Sequence, residues 1–151
     1  VPPSRNMQTI DRLRNRSNFD DLTSDEAHAA SLAEYTEDFV VVEPPSLPQR
    51  GEHHGREQWL AMHEIMRATW QQKLTVEHAW DVPEHDVVVL YSRMDWTAKE
   101  TGRSAIWPTV QVFHFRDAKI CRVEIFHQDT QVILDTLEPR EAAATAAGGE
   151  R

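Results

Sequence analysis

With 151 residues, 40% apolar and 27% charged side chains, the chain has the composition of one soluble globular domain, long enough to bury a core without staples. A net charge of −9, from 25 acidic and 16 basic side chains, would repel a phosphate backbone and argues against a nucleic-acid partner. The single cysteine, Cys121, excludes an intrachain disulfide and sits in an apolar run, where it is expected to be buried and inert. No apolar stretch has the length of a membrane span and the first residues lack a signal-peptide pattern, so no membrane partner and a reducing, cytoplasmic setting are expected.

In chain order, Pro2-Pro3 reads as an extended lead-in, and residues 7–18 predict a short helix burying Met7, Ile10 and Leu13 with its arginines outward. Asp20-Asp21 marks a loop. Thr23-Ser24-Asp25-Glu26 has the form of a capping box for a second helix running to about Tyr35. Phe39-Val40-Val41-Val42-Glu43 then predicts a strand over residues 38–43, which Pro44 and Pro45 stop for want of an N–H. Alternation puts Phe39, Val41 and Glu43 on one face, with Glu43 at the rim of an apolar wall, either solvated or tuned.

Residues 49–55 read as a polar loop, and a longer helix from Arg56 carries Trp59, Met62, Met66 and Trp70 at helical spacing, broadened by Leu60 and Ile65. His63 falls beside that stripe, able to line a pocket or to serve as a boundary histidine. From Lys73 the period shortens to two. Strands are expected over 74–82, 86–99, 104–116 and 119–128, joined by turn-forming residues into an antiparallel meander. Asp129 is placed to N-cap a last short helix through Val132, Ile133 and Leu137. A single domain over residues 1–137 follows, with residues 138–151 as a frayed tail. Helices that precede a curved antiparallel sheet make an α+β layer structure, and such a sheet bending around a helix leaves a pocket.

Two strands bear on that pocket. In the strand over residues 104–116, Trp107, Thr109, Gln111, Phe113 and Phe115 share a face. With Trp59, Met62 and Met66 they would enclose an apolar cavity for a hydrophobic ligand, with Trp107 and Gln111 the pocket candidates. In the strand over residues 86–99, Val89, Tyr91, Arg93, Asp95 and Thr97 oppose Leu90, Ser92, Met94 and Trp96, and hydrophobicity alone would bury the second set. Eight histidines are present, but none shows the spacing of a zinc site, so no metal is expected.

The run Tyr35-Thr36-Glu37-Asp38-Phe39-Val40-Val41-Val42-Glu43-Pro44, the Gly51–Glu57 helix start, Asp95-Trp96-Thr97-Ala98, Thr101-Gly102-Arg103 and Phe126-His127-Gln128-Asp129-Thr130 together resemble the SnoaL-like polyketide cyclase branch of the nuclear transport factor 2-like superfamily. The resemblance spans about residues 7–137. It implies a cone-shaped α+β barrel with a deep pocket and homodimers formed through the outer sheet face. The function it implies is cofactor-free acid–base chemistry, cyclisation or isomerisation, on a hydrophobic small molecule such as a polyketide or terpenoid intermediate. Epoxide opening and plain ligand binding are the alternatives within the superfamily.

Residue by residue, the ketosteroid isomerase pattern of a carboxylate before a proline falls on Glu43, which becomes the expected proton carrier. The limonene epoxide hydrolase pattern Arg-x-Asp falls on Arg93 and Asp95. If that strand turns its polar face inward, Asp95 is the partner acid or base, Arg93 orients it and Tyr91 contacts substrate. The isomerase's tyrosine on the first helix has no counterpart, and its proton-donating aspartate falls near Gln111. The hydrolase's last-strand aspartate falls near Ile125 or Phe126, and neighbouring His127 is the best further acid or base. The expected catalytic set is therefore Glu43, Asp95, Arg93 and His127, with Trp59, His63, Tyr91, Trp107, Gln111 and Phe113 around the substrate.

Overall fold

The computed structural model describes residues 1–16 and 25–139. Helix α1 spans Arg5–Arg16 and α2 Asp25–Leu32; strand β1 spans Tyr35–Glu43 and β2 Gly51–His54; helix α3 spans Gly55–Thr69. Strands β3 (Trp70–Val82), β4 (Val87–Ala98), β5 (Ser104–Arg116) and β6 (Lys119–His127) follow, then helix α4 (Thr130–Asp135). The capping box at Thr23-Ser24 and the tail beyond 139 lie outside the described residues.

All six strands form one sheet in the order β2-β1-β6-β5-β4-β3. The expected meander of β3 to β6 is present and antiparallel throughout. Strand β1, outside that meander, pairs parallel with β6, with Val40, Val41 and Val42 level with Arg122, Val123 and Glu124. A parallel neighbour requires a long crossover, here α3 and the meander. It brings the two strand ends that carry Glu43 and His127 to the same end of the sheet.

Three local boundaries differ from the sequence expectation. The polar loop at 49–55 holds a short edge strand, β2, which pairs antiparallel with β1. Trp70 is not the last apolar position of α3 but the first residue of β3, extended at φ −130°, ψ 147°. The preference of a bulky aromatic for a pleated surface and pairing with Ala98 override the helical spacing. Tyr35 likewise opens β1 rather than closing α2, and Ile65 is exposed instead of widening the apolar stripe.

Helix α1 is fixed at both ends by polar contacts. Ser4 Oγ accepts from Met7 N at its start and donates to Asp81 on β3 at 2.7 Å. Further along, the Arg12 guanidinium grips the largely buried Glu34 through two bonds at 3.1 and 3.0 Å. Ile10 and Leu13 point into the core, which also takes Phe39, Val41, Trp59, Met62 and Met66. The pleat sends Val88, Leu90, Ser92, Met94, Trp96 and Ala98 of β4 inward, and Trp107, Thr109, Gln111, Phe113 and Phe115 of β5 with them. The outer sheet face carries three exposed apolar side chains, Trp80, Ile106 and Phe126.

Asp129 caps α4 as its position suggests, accepting from Gln131 N. That helix is anchored to the sheet by one buried contact, Trp70 Nε1 donating to Thr136 Oγ at 2.9 Å. Cys121 is half-buried rather than fully buried, its thiol 3.4 Å from the His114 carbonyl. Replacing Thr136 with the near-isosteric Val removes the acceptor and leaves a buried indole N–H unpaired. The expected loss is about 1–3 kcal/mol, read as a lower urea midpoint at unchanged m-value.

Candidate functional site

Between the concave sheet face and the helices lies a cavity of about 810 Å³, inside the usual range for small-molecule sites. Leu13 of α1, Trp59, Met62 and Met66 of α3, and Val41, Phe113 and Val123 of the sheet give it apolar walls. Among the residues whose roles were expected, Glu43, His63, Asp95, Gln111 and His127 supply polar groups to its lining, joined by others such as Arg67, Gln71 and Thr97.

Register explains why these polar groups meet. One step beyond the Val42–Glu124 pair, Glu43 falls level with Ile125, which faces Gln111 across β5 and β6. One inward position further along β6, His127 faces Thr109, which in turn faces Ser92. Two neighbouring cross-sheet rows therefore carry Glu43 with Gln111, and His127 with Thr109 and Ser92.

Glu43 is not at a rim. It is 3% exposed because the loop after β1 folds back over it in two tight turns, Leu47 N to Pro44 O at 3.3 Å and Arg50 N to Leu47 O at 3.1 Å, burying Leu47 and Gln49. Burial pushes the Glu43 carboxyl up to about 8, a shift tempered by the nearby Gln49 amide. That amide nevertheless makes no hydrogen bond of its own at either end. Desolvation thus decides the state of the carboxyl, which is protonated at neutral pH.

His127 faces it, Nε2 to Glu43 Oε2 at 3.9 Å, with 1% of either side chain exposed. Neither of those atoms has a hydrogen-bond partner. On the other side of the ring, Trp107 Nε1 donates to His127 Nδ1 at 2.8 Å, and Thr109 Oγ lies 2.7 Å from the same nitrogen. An indole N–H can only donate, so Nδ1 carries the lone pair and the neutral ring keeps its proton on Nε2, aimed at Glu43. Burial pushes this imidazole down to about 4. Trp96 packs edge-on against both His127 and Trp107, with centroids 5.7 and 5.0 Å away, closing the ring into an aromatic shell.

His63 lines the opposite wall, 4.1 Å from Trp59 between ring centroids, and is held neutral by burial and by His28, Arg67 and His53, down to about 3. Burial pushes the Tyr35 phenol up out of any physiological range.

The β4 residues named by the resemblance are placed differently. Tyr91 and Arg93 lie on the outer face of the sheet, Arg93 exposed, and neither lines the cavity. The reason is the pleat: burying Met94 and Trp96 inward forces their sequence neighbours outward. Asp95 shares that outer register, in line with Lys73 on β3, and borders the cavity only at its open end beside the exposed Lys73 and Lys99. It is also separated from β1 by β6 and β5, about 14 Å along the sheet. Glu43 and Asp95 therefore do not form a facing pair; Glu43 and His127 do.

Sequence reasoning did not find Gln49, Ser92 or the Trp107–Thr109–His127 contact. Ser92 had a readable signal, the apolar alternation of its strand. Gln49 had none, because a proline-rich loop has no periodicity to exploit. Among the described residues no group of three or more His, Cys, Asp and Glu side chains is placed to hold a metal ion.

A family model described as a SnoaL-like domain matches residues 16–123, more than two thirds of the chain. Solved structures share the fold. An NTF2-like protein from Burkholderia thailandensis superposes with a TM-score of 0.77 at 18% identity, covering 89% of this chain and 98% of that one. TerC, co-crystallised with polyporic acid, gives 0.75 at 19% identity over 89% and 98%. A candidate SnoaL-like polyketide cyclase from Jannaschia gives 0.73 at 17% identity over 90% and 94%. No curated protein matches by sequence.

The buried groups impose a pH dependence on stability. Glu43 sits at about 8 in the folded chain against an ordinary 4.5, so the folded state holds a proton that the unfolded state has lost, and stability falls as pH rises through that window. His127 and His63 sit at about 4 and 3 against 6.5, so their contribution runs the other way and is complete about one unit above 6.5. Between about pH 7.5 and 9 the carboxyl acts alone among the three. Unfolding free energy is expected to drop by about 1 kcal/mol there, and Glu43→Gln to abolish the drop. Parallel declines in parent and variant urea curves would refute a desolvated carboxyl.

Proposed function

The chain belongs to the SnoaL-like family of the nuclear transport factor 2-like superfamily, and on that premise we propose that it carries out cofactor-independent acid–base catalysis on a hydrophobic small molecule. Cyclisation or isomerisation of a polyketide or terpenoid intermediate is the reaction class. The observation that carries this reading is the pair of unpartnered, buried groups, Glu43 Oε2 and His127 Nε2, facing each other 3.9 Å apart inside an apolar cavity. A carboxyl held near neutrality by desolvation is suited to giving and retaking a proton. Glu43 is the proton carrier and His127 holds a carbonyl or hydroxyl oxygen. Trp59, Phe113 and Gln111 shape the space around the reacting centre, whereas Trp107, expected there from the sequence, stands outside the lining and supports His127. The likeness to TerC, crystallised with the aromatic polyporic acid, is compatible with a ring-bearing ligand, and that likeness by itself speaks only to the fold.

The test is solvent-deuterium incorporation, followed by mass spectrometry, across a panel of enolisable polycyclic ketones. Glu43→Gln is expected to lower the exchange rate of any accepted ketone by about 10²–10⁴. Asp95→Asn, whose strand register faces outward, is expected to stay within about threefold of the parent. Equal rates in the parent and Glu43→Gln under saturating substrate would rule out the assignment.

We also propose that the outer sheet face pairs two copies of the chain. Phe126, Val110 and Tyr91 lie level across β6, β5 and β4, with Val112, Val89 and Trp80 in the next row. Trp80 and Phe126 are exposed and His78 stacks on Trp80 at 5.6 Å, so an apolar patch continues across four strands. Exposed patches of this kind mark protein interfaces. Phe126→Asp is expected to halve the mass measured by sedimentation equilibrium while leaving the circular dichroism unchanged, whereas a parent that sediments as a monomer contradicts the pairing.

A further inference from the structure

The open end of the cavity has a different chemistry from the end that holds Glu43 and His127. Arg67, Lys73, Asp95 and Lys99 gather where the cavity opens past β3. That strand is the edge of the sheet, so no neighbour covers its far side and outer-register residues border the opening. Three cations and one carboxylate leave a surplus of two positive charges there, on a chain whose formal net charge is −9. Glu64 and Glu100, acidic neighbours in sequence, stand outside the lining.

Packing of the chain assembles this group. Lys99 N donates to the Thr69 carbonyl at 2.9 Å, which ties the end of β4 to the end of α3. It sets Lys99 beside the last helical turn, where Arg67 lies. Lys73 stands level with Asp95, and Gln71 with Thr97. Arg67 is half-buried, and its charge reaches inward, where it is among the groups that hold His63 neutral. The helix dipole favours a cation at Arg67, and the cross-strand carboxylate favours one at Lys73. With Lys99 added, the opening still holds more positive charge than its own lining balances.

The sheet sets how far this end lies from the reacting centre. His127 shares a row with Thr109, Ser92 and Val76, and Lys73 is three residues before Val76 on β3. The two ends are thus about 14 Å apart across the strands and about 10 Å along them. The way between is apolar, past Leu74, Met94 and Trp96.

We propose that the ligand of this cavity is an elongated carboxylate, its apolar body reaching toward Glu43 and His127 and its carboxylate held at the opening by Arg67, Lys73 and Lys99. A monoanion is favoured over a phosphate dianion, because repulsion from the rest of this acidic chain grows with the ligand's charge. The guanidinium offers a planar fork that matches a carboxylate, and the lysines add mobile point charges. At this wet end the anion escapes the desolvation it would meet beside Glu43. The inference rests on the cavity being the ligand site of the acid–base reading, and it adds which end of the ligand enters first.

The fluorescent acid 1-pyrenebutyrate and its neutral amide test this on the intact chain. The two share an apolar body and differ in one terminal group. Transfer out of water alone favours the uncharged amide, so a preference for the acid has to come from the protein. At pH 7 and low salt, equilibrium dialysis is expected to show the carboxylate binding about tenfold more tightly than the amide, a preference that shrinks as ionic strength rises. Lys73→Met combined with Lys99→Met, both at exposed positions, should weaken carboxylate binding about fivefold and leave the amide within about twofold. Adding Arg67→Gln should erase the preference.

Asp95→Asn works in the opposite direction: it removes the one competing carboxylate and should strengthen binding of the acid about two- to threefold, with the amide unchanged. Misfolding cannot produce such a gain. Equal or weaker binding of the acid by the parent, or a preference untouched by the lysine substitutions, overturns the site. Either result leaves the deuterium-exchange test of Glu43 as it stands, because the ketones used there are uncharged. Carboxylate selectivity without any exchange would remove the catalysis and keep the anion site.

Discussion

Desolvation of the Glu43 carboxyl is the constraint on which the site depends. A glutamate at a strand end, followed by two prolines, would ordinarily stand in water with its charge paid for by hydration. Here the chain after Pro44 turns back twice within seven residues, burying Leu47 and Gln49 almost completely, with Gln49 beside the carboxyl. No cation is brought in to compensate. The side chain is therefore pushed toward its neutral form, up to about 8, and an acidic residue becomes a proton donor at the pH where most glutamates are acceptors. The prolines contribute twice, by ending the strand at the carboxylate and by offering no N–H that would stabilise its charge.

The second half of the pair comes from topology. Because β1 runs parallel to β6, the ends of both strands lie at the same edge of the cavity. Glu43 and His127 can meet only in that arrangement, since an antiparallel β1 of the same length would carry its last residue to the far end. The meander supplies the rest. Trp107 and Thr109 on β5 sit in register with the end of β6 and occupy His127 Nδ1 from behind. The indole packs against both Trp96 and the imidazole, which also touch each other, so packing as well as hydrogen bonding holds the ring.

Much of this was legible in the sequence wherever one signal dominated. The β-branched run to Glu43 and its proline stop, the inward face of β5 from Trp107 to Phe115, and the Asp129 cap each rest on local chemistry that tertiary structure had no reason to override. β4 was harder because two sound cues disagreed. Apolar alternation placed Met94 and Trp96 inside, whereas the family pattern placed Arg93 and Asp95 there, and a strand cannot do both. Burial of two large side chains outweighs the resemblance, so Arg93 and Tyr91 stand on the outer face and Asp95 is left at the cavity's open end. Trp70 shows the converse failure. Its spacing from Met66 fits a helix equally well, and only its pairing with Ala98 and its bond to Thr136 make it the start of β3. The partners of Glu43 were out of reach for another reason: Gln49 and His127 are distant in sequence from it and from each other, and nothing short of the strand order brings them together.

The two faces of the sheet divide the chain's chemistry, and that division limits what the cavity accepts. The formal charge of −9 is carried on the surface, as at Asp38, whose carboxylate pairs with Arg116 in water. Inside, the titratable side chains with resolved shifts, Glu43, His63 and His127, are all moved toward their uncharged forms. Beside Glu43 and His127 a ligand's fixed charge would be stripped of water, a cost of several kcal/mol, although Arg67, Lys73 and Lys99 also line the cavity. A neutral ring system loses only hydration it is better without. Charge that develops on one oxygen during a reaction is a different case, because it appears where two aligned dipoles already point and requires no reorganisation. On the acid–base reading proposed above, the same desolvation that keeps Glu43 and His127 neutral favours substrates whose charge exists only in passing.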